Sequence, residues 1–113
     1  MISGIGIDAI AISRFARFRR DSDKGFIGNV FTRRERDYCF QNANPKKHLA
    51  GTFSCKEAVS KALNASKAPF TQIEIRRTRS GMPEAWIKGR KVSSAKVSLT
   101  YTDSLAIAIA ILS

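Results

Sequence analysis

Two carboxylates in this chain stand where an apolar residue would be expected. Asp8 interrupts the run Gly4-Ile5-Gly6-Ile7-Asp8-Ala9-Ile10, and Glu57 sits at the edge of an apolar helical stripe within Phe53-Ser54-Cys55-Lys56-Glu57-Ala58-Val59-Ser60-Lys61. A desolvated carboxylate is unfavourable unless it is paired, protonated or bound to a cation. Brought together, the two could hold one Mg²⁺, a hard ion that takes a few carboxylates along with water and phosphate oxygens. Alternatively, each pairs separately with an arginine. Lys61 follows Glu57 by one helical turn and Lys56 adjoins it, so the segment could present cations beside a metal-binding carboxylate, which suits a pyrophosphate. Glu57 and Lys61 also fit an ordinary solvated i,i+4 pair worth about 0.2–0.5 kcal/mol. Lys56 does not fit that description, because it falls inside the apolar stripe.

Other chemistries have less to build on. His48 is the sole histidine, which leaves little for a histidine-rich zinc site or a Cys–His nucleophile pair, and it reads as a surface or cap residue. Gly4-Ile5-Gly6 lacks dinucleotide-fingerprint spacing, and no P-loop is present. Phe15, Phe18, Phe31, Tyr38, Phe40 and Phe53 are assigned to the core. Cys39 and Cys55 lie in helical patterns and read as reduced packing residues, which makes a cytoplasmic location the expectation.

Period-two alternation over residues 2–12 predicts a strand with Gly6, Asp8, Ile10 and Ile12 on one face and Ile5, Ile7, Ala9 and Ala11 on the other. Ser13 is the expected N-cap of a short basic helix with Phe15 and Phe18 inward, ending at a polar turn of Asp21, Ser22, Asp23 and Lys24. Thr32 and Glu35 form a capping box that opens a second helix running to about residue 42. Over residues 46–64, Leu49, Phe53, Val59 and Leu63 recur at helical spacing and give the longest helix. After residues 66–69 the period changes to two. Ile73 and Ile75 mark a strand, residues 80–83 a turn, residues 85–88 its partner, and residues 92–101 and 105–112 a hairpin. The fold class is α+β, with an N-terminal strand and helices packed on an antiparallel sheet drawn mostly from the second half.

With 113 residues and 43% hydrophobic content, the chain is expected to form one domain over residues 1–113, small enough for oligomerisation to help stabilise it. The apolar stretch at residues 2–12 is short, glycine-broken and carries Asp8, so neither membrane insertion nor a targeting segment is expected. Twenty Lys and Arg against nine Asp and Glu, a net charge of +11, imply a polyanionic partner. The cations are dispersed over several elements, with no single helix suited to reading a nucleic-acid groove.

Taken in order along nearly the whole chain, these segments resemble the holo-[acyl-carrier-protein] synthase family of 4′-phosphopantetheinyl transferases. The resemblance is carried by Gly4-Ile5-Gly6-Ile7-Asp8 followed by Ile12, Arg14 and Phe15, then Phe31-Thr32-Arg33-Arg34-Glu35. It continues in Phe53-Ser54-Cys55-Lys56-Glu57-Ala58-Val59-Ser60-Lys61-Ala62-Leu63, Ile73-Glu74-Ile75, Gly81-Met82-Pro83, Val97-Ser98-Leu99-Thr100 and Ala106-Ile107-Ala108. The resemblance implies that Asp8 and Glu57 hold Mg²⁺ against the pyrophosphate of coenzyme A while Lys61 stabilises the charge developing there. It implies that a serine of an apo acyl carrier protein attacks the β-phosphate, its proton passing to Glu57 or to a metal-bound water. Lys46, Thr52, Lys56, Ser60, Gly81, Met82, Pro83, Tyr101 and Thr102 are then assigned to coenzyme A, and Arg14, Arg17 and Arg20 to the acidic helix of the carrier. A homotrimer with coenzyme A at its subunit boundaries is implied as well.

Two positions depart from the family pattern. Thr52 stands where an arginine usually precedes the helix aromatic, and Tyr101 where a histidine usually follows the preceding strand residues. Both changes remove a cationic or titratable contact near coenzyme A, which Lys46 or Lys47 could replace. A competing reading is a catalytically impaired basic module that binds nucleic acid or an acidic protein.

Overall fold

The computed structural model of the chain describes residues 1–20, 25–64 and 70–113. The expected polar turn at Asp21, Ser22, Asp23 and Lys24, and the break at residues 66–69, lie outside the described residues.

The long helix, α3 (Pro45–Ala62), organises the molecule, with proline at its first turn where the missing N–H is no loss. One sheet lies against it: β1 (Gly4–Ala11), β6 (Leu105–Leu112) and β5 (Ala95–Tyr101), antiparallel in the order β1-β6-β5. The strand β6 reads Leu-Ala-Ile-Ala-Ile-Ala-Ile-Leu, and the structure turns Ala106, Ala108 and Ala110 inward, where they are fully buried. Small side chains here let the sheet approach α3 closely. The same requirement explains Gly4 and Gly6, where an added Cβ would fall 2.0 and 1.9 Å from the carbonyl oxygens of Ala62 and Ala58. By register and strand alternation, Ile5, Ile7 and Ala9 of β1 and Ile107, Ile109 and Ile111 of β6 then share the outer face.

A second sheet, β2 (Ile73–Arg77), β3 (Pro83–Ile87) and β4 (Arg90–Lys91), completes the strands among the described residues. The single sheet expected from the sequence is thus two three-stranded sheets, with the two-residue strand β4 just ahead of residue 92, where the final hairpin had been expected to start, and the first strand of that hairpin beginning at Ala95. On one side of α3, Ile73, Ile75 and Ala85 pack with Cys55 and Val59; on another, Phe15, Ile27 and Phe31 pack with Cys39 and Leu49. The aromatic residues assigned to the core are buried in this second cluster or pack against it. Both cysteines are free, and burial pushes their thiols up to about 11 for Cys39 and about 12 for Cys55. Among the described residues, no helix is long and apolar enough to cross a membrane.

Two local expectations change. Ser13 caps nothing: Ile12–Phe15 form one 3-10 turn entered from Ala11, because Ile12 and Phe15, three residues apart, are both drawn into the core. A short helix, α1 (Phe26–Val30), precedes the capping box and buries Ile27. The box itself forms as expected: Thr32 Oγ1 accepts from Glu35 N at 3.2 Å and Glu35 Oε1 accepts from Thr32 N at 2.9 Å, opening α2 (Arg33–Phe40).

Candidate active site

The close approach of β1 to α3 brings Asp8 beside the second half of the helix. Ser54 Oγ donates to the Asp8 carbonyl oxygen at 3.0 Å. Lys61 Nζ donates to the Ile7 carbonyl oxygen at 2.9 Å and lies 3.7 Å from Asp8 Oδ1. The Asp8 side chain is 15% exposed, and its other oxygen, Oδ2, is shut off from solvent without a hydrogen-bond partner. Glu57 projects into the same neighbourhood: burial raises its pKa above the usual 4.5, the negative charge of Asp8 raises it further, and Lys61 opposes both. Two carboxylates that repel, one with an orphaned oxygen, make a donor set suited to a cation. Among the described residues no group of three or more acidic, histidine or cysteine side chains converges. The protein contribution is therefore sparse, which fits a hard ion that completes its shell with water and substrate oxygens.

Lys56, assigned to coenzyme A from the sequence, is turned away from this face. Its side chain is 0% exposed and its ammonium lies 2.7 Å from Glu35 Oε1, while Glu35 Oε2 accepts from Ile75 N at 2.6 Å. Burial pushes Glu35 up and Lys56 down, and their mutual attraction opposes both shifts. The lysine inside the apolar stripe thus answers to a carboxylate on another helix, which no spacing within α3 could indicate. Thr52 is likewise buried, at 2% exposure, and its hydroxyl faces Cys39 Sγ and Arg77 Nη2. Ser60 is half-buried on the last turns of α3.

The remaining residues assigned to coenzyme A gather elsewhere. Gly81 has φ +91°, in the left-handed region open to glycine, and turns the chain between β2 and β3. Gly81, Met82 and Pro83 line a cavity of about 240 Å³ together with Tyr101 and Arg77. Lys47, rather than Lys46, reaches Tyr101, its ammonium 4.7 Å from the ring centroid, whereas Lys46 is exposed. Thr102 Oγ1 accepts from Ser104 N and Leu105 N in the exposed β5–β6 turn. Asp8 and Tyr101 lie on opposite edge strands with β6 between them, so within one protomer the carboxylate group and the Gly81–Tyr101 group stay apart.

Arg14 and Arg17 are exposed and line a cavity of about 380 Å³ that also has Phe18 and Phe26 in its wall, while Arg20 pairs with Asp37 at 3.5 Å. His48, expected as a surface or cap residue, lies in the first turn of α3, half-buried, and meets Tyr38 edge-on, its pKa lowered by burial and by the charges of Arg77 and Lys47. Arg77 was not singled out by the sequence. The available signal was parity, since it follows the inward-facing Ile73 and Ile75 by two-residue steps.

A model of the 4′-phosphopantetheinyl transferase superfamily matches residues 4–110. A holo-[acyl-carrier-protein] synthase of Thermodesulfovibrio yellowstonii is 36% identical over 115 residues, covering 99% of this chain and 99% of that protein. The crystal structure of a holo-(acyl-carrier-protein) synthase from Bacillus anthracis in complex with CoA (3′,5′-ADP) superposes with a TM-score of 0.79 at 28% identity, covering 99% of this chain and 96% of that one. The Helicobacter pylori holo-[acyl-carrier-protein] synthase, crystallised with coenzyme A, gives a TM-score of 0.80 at 27% identity over 96% of this chain and 99% of that one.

Proposed function

The chain belongs to the holo-[acyl-carrier-protein] synthase family of the 4′-phosphopantetheinyl transferase superfamily, and from that membership we propose that it moves the 4′-phosphopantetheine arm of coenzyme A onto a serine of an apo acyl carrier protein. The observation that carries this reading is the convergence of Asp8, Glu57 and Lys61 where β1 crosses α3.

In this reaction the serine oxygen bonds to the β-phosphorus. The bond from that phosphorus to the bridging oxygen breaks, and its electrons leave with adenosine 3′,5′-bisphosphate. Such a displacement needs positioning and charge neutralisation more than covalent help from the protein. Asp8 and Glu57 would hold a Mg²⁺, which when bound neutralises the pyrophosphate and polarises its oxygens. Lys61, fixed by the Ile7 carbonyl, adds a positive charge at the same place. Glu57, which lies beside Asp8 and Lys61, is the candidate acceptor of the serine proton. Arg14, Arg17 and Arg20 form the cationic surface offered to the acidic carrier.

The proposed assembly is a homotrimer. Two observations support it: the outer face of β1 and β6 leaves Ile5 and Ile7 about 60% exposed, and Asp8, assigned to the metal, and Tyr101, assigned to coenzyme A, lie on opposite edge strands of that sheet. A neighbour would cover the first and join the second, with each buried isoleucine contributing about 1.5–3 kcal/mol. One catalytic domain over residues 1–113 and a cytoplasmic location complete the proposal, the latter in keeping with two free, buried thiols.

The test is to incubate the protein with coenzyme A, Mg²⁺ and an apo carrier protein and follow the carrier by intact mass. Addition of phosphopantetheine that requires metal, with Glu57→Gln slower by about 10²–10³-fold, is expected. No addition to several carriers, together with tight binding of nucleic acid, would favour the impaired basic module instead.

A further inference from the structure

Ser54 sits in the middle of α3 with 0% exposure, a place where neither helix formation nor burial calls for a hydroxyl. Alanine is the better helix former, and a buried hydroxyl is costly unless it is hydrogen-bonded. A serine inside a helix can satisfy itself on the carbonyl four residues back. Ser54 donates across to β1 instead, its Oγ 3.0 Å from the Asp8 carbonyl oxygen. Lys61 Nζ, further along α3, donates to the Ile7 carbonyl oxygen at 2.9 Å. These two carbonyls belong to the peptide groups on either side of the Asp8 Cα, so the backbone that aims the Asp8 carboxylate is held from both.

The two donors differ in kind. Lys61 is 52% exposed on a long side chain whose charge is assigned to the pyrophosphate. Ser54 is sealed from solvent, and its bond does not depend on where Lys61 points. Ser54, Glu57 and Lys61, at steps of three and four residues, lie on one face of α3. The turn that tethers the Asp8 backbone therefore directly precedes the one that carries Glu57. We propose that Ser54 is a positioning residue for the cation site: by holding the Asp8 peptide it sets the Asp8 carboxylate against Glu57. The inference rests on the transferase reading, in which those two carboxylates hold Mg²⁺. Among the described residues no third acidic, histidine or cysteine side chain joins them, so a donor set this small depends on how its two members are placed. Asp8 Oδ2, buried and without a partner, is the atom whose aim the tether decides. Groups that orient a metal ligand from outside the coordination shell commonly account for about 10–100-fold in metal affinity.

Calorimetric titration of Mg²⁺ into the intact protein, with coenzyme A present and no carrier, reads the site without turnover. Ser54→Ala is expected to weaken Mg²⁺ binding by about 10-fold, the lower end of that span, because the bond goes to the backbone of Asp8 and not to its carboxylate. Ser54→Cys keeps the bulk but donates weakly, and should fall between. In transfer assays the loss should be recovered at high Mg²⁺, with KM for coenzyme A at saturating metal unchanged. A Ser54→Ala protein that melts at lower temperature yet binds Mg²⁺ as wild type does has lost a structural bond only, and overturns the inference. Should Ser54→Ala fail to fold, wild-type Mg²⁺ affinity in Ser54→Cys overturns it. Wild type that takes up no Mg²⁺ overturns the metal site of the transferase reading and the inference with it.

Discussion

The Lys56 ammonium lies 2.7 Å from Glu35 Oε1 with neither side chain exposed, and the same carboxylate closes the capping box of α2 and accepts the Ile75 N–H. One buried acid thereby ties the start of α2, the middle of α3 and strand β2 together. It stabilises through geometry: each of its bonds comes from a different element, so none can be lost without leaving a buried charge under-satisfied.

Breaking this pair from one side should be severe. Lys56→Met or Glu35→Gln is expected to lower unfolding free energy by about 3–5 kcal/mol in denaturant titrations, because the surviving charge is stranded. Replacing both with apolar residues should recover part of the loss. A single substitution that leaves the denaturation midpoint unchanged would contradict the buried pairing.

Glu57 should titrate above 4.5 in metal-free protein, followed by carboxyl-carbon NMR, and Asp8→Asn should bring it down. Between 4.5 and its raised value the folded chain keeps a proton that the unfolded chain has released. The contribution of Glu57 to stability therefore falls as pH rises through that window. Added Mg²⁺ should lower the midpoint. A midpoint at or below 4.5 without metal would remove the argument that Asp8 and Glu57 share one site.

Gly6→Ala is expected to destabilise the fold by about 1–3 kcal/mol, since its Cβ would meet the Ala58 carbonyl oxygen at 1.9 Å, a backbone atom that cannot swing aside. Transfer activity should fall with it, because the same close approach sets Asp8 against Lys61. Unchanged stability in calorimetric melts would mean that β1 and α3 are not in backbone contact.

Ile7→Asp places a charge on the exposed apolar face of β1, 61% exposed in the isolated protomer. Light scattering coupled to size exclusion should find a trimer for wild type and mostly monomer for the variant, with circular dichroism unchanged. A wild-type monomer at micromolar concentration would count against the shared site.

The elements carrying the chemistry were legible in the sequence because their signals are local. Thr32 and Glu35 are three residues apart, Leu49, Phe53, Val59 and Leu63 recur at helical spacing, and alternation put Asp8 on the same strand face as Gly6. The α+β class followed from the change of period after the long helix. Local signals could not say that Ala106, Ala108 and Ala110 face inward while their isoleucine neighbours face out. That choice is made by the close approach of the sheet to α3, which admits the methyl groups of Ala106, Ala108 and Ala110 on β6 and no side chain at Gly4 and Gly6 on β1. The apolar stripe set Lys56 apart from Lys61 but could not name their partners: one ends in a salt bridge to Glu35 and the other beside Asp8. Arg77 shows the same limit, because its partners Thr52, Tyr38 and Tyr101 come from three other elements. Sequence spacing determined which residues could do chemistry; tertiary packing, through burial and long-range charge partners, decided which of them face the site.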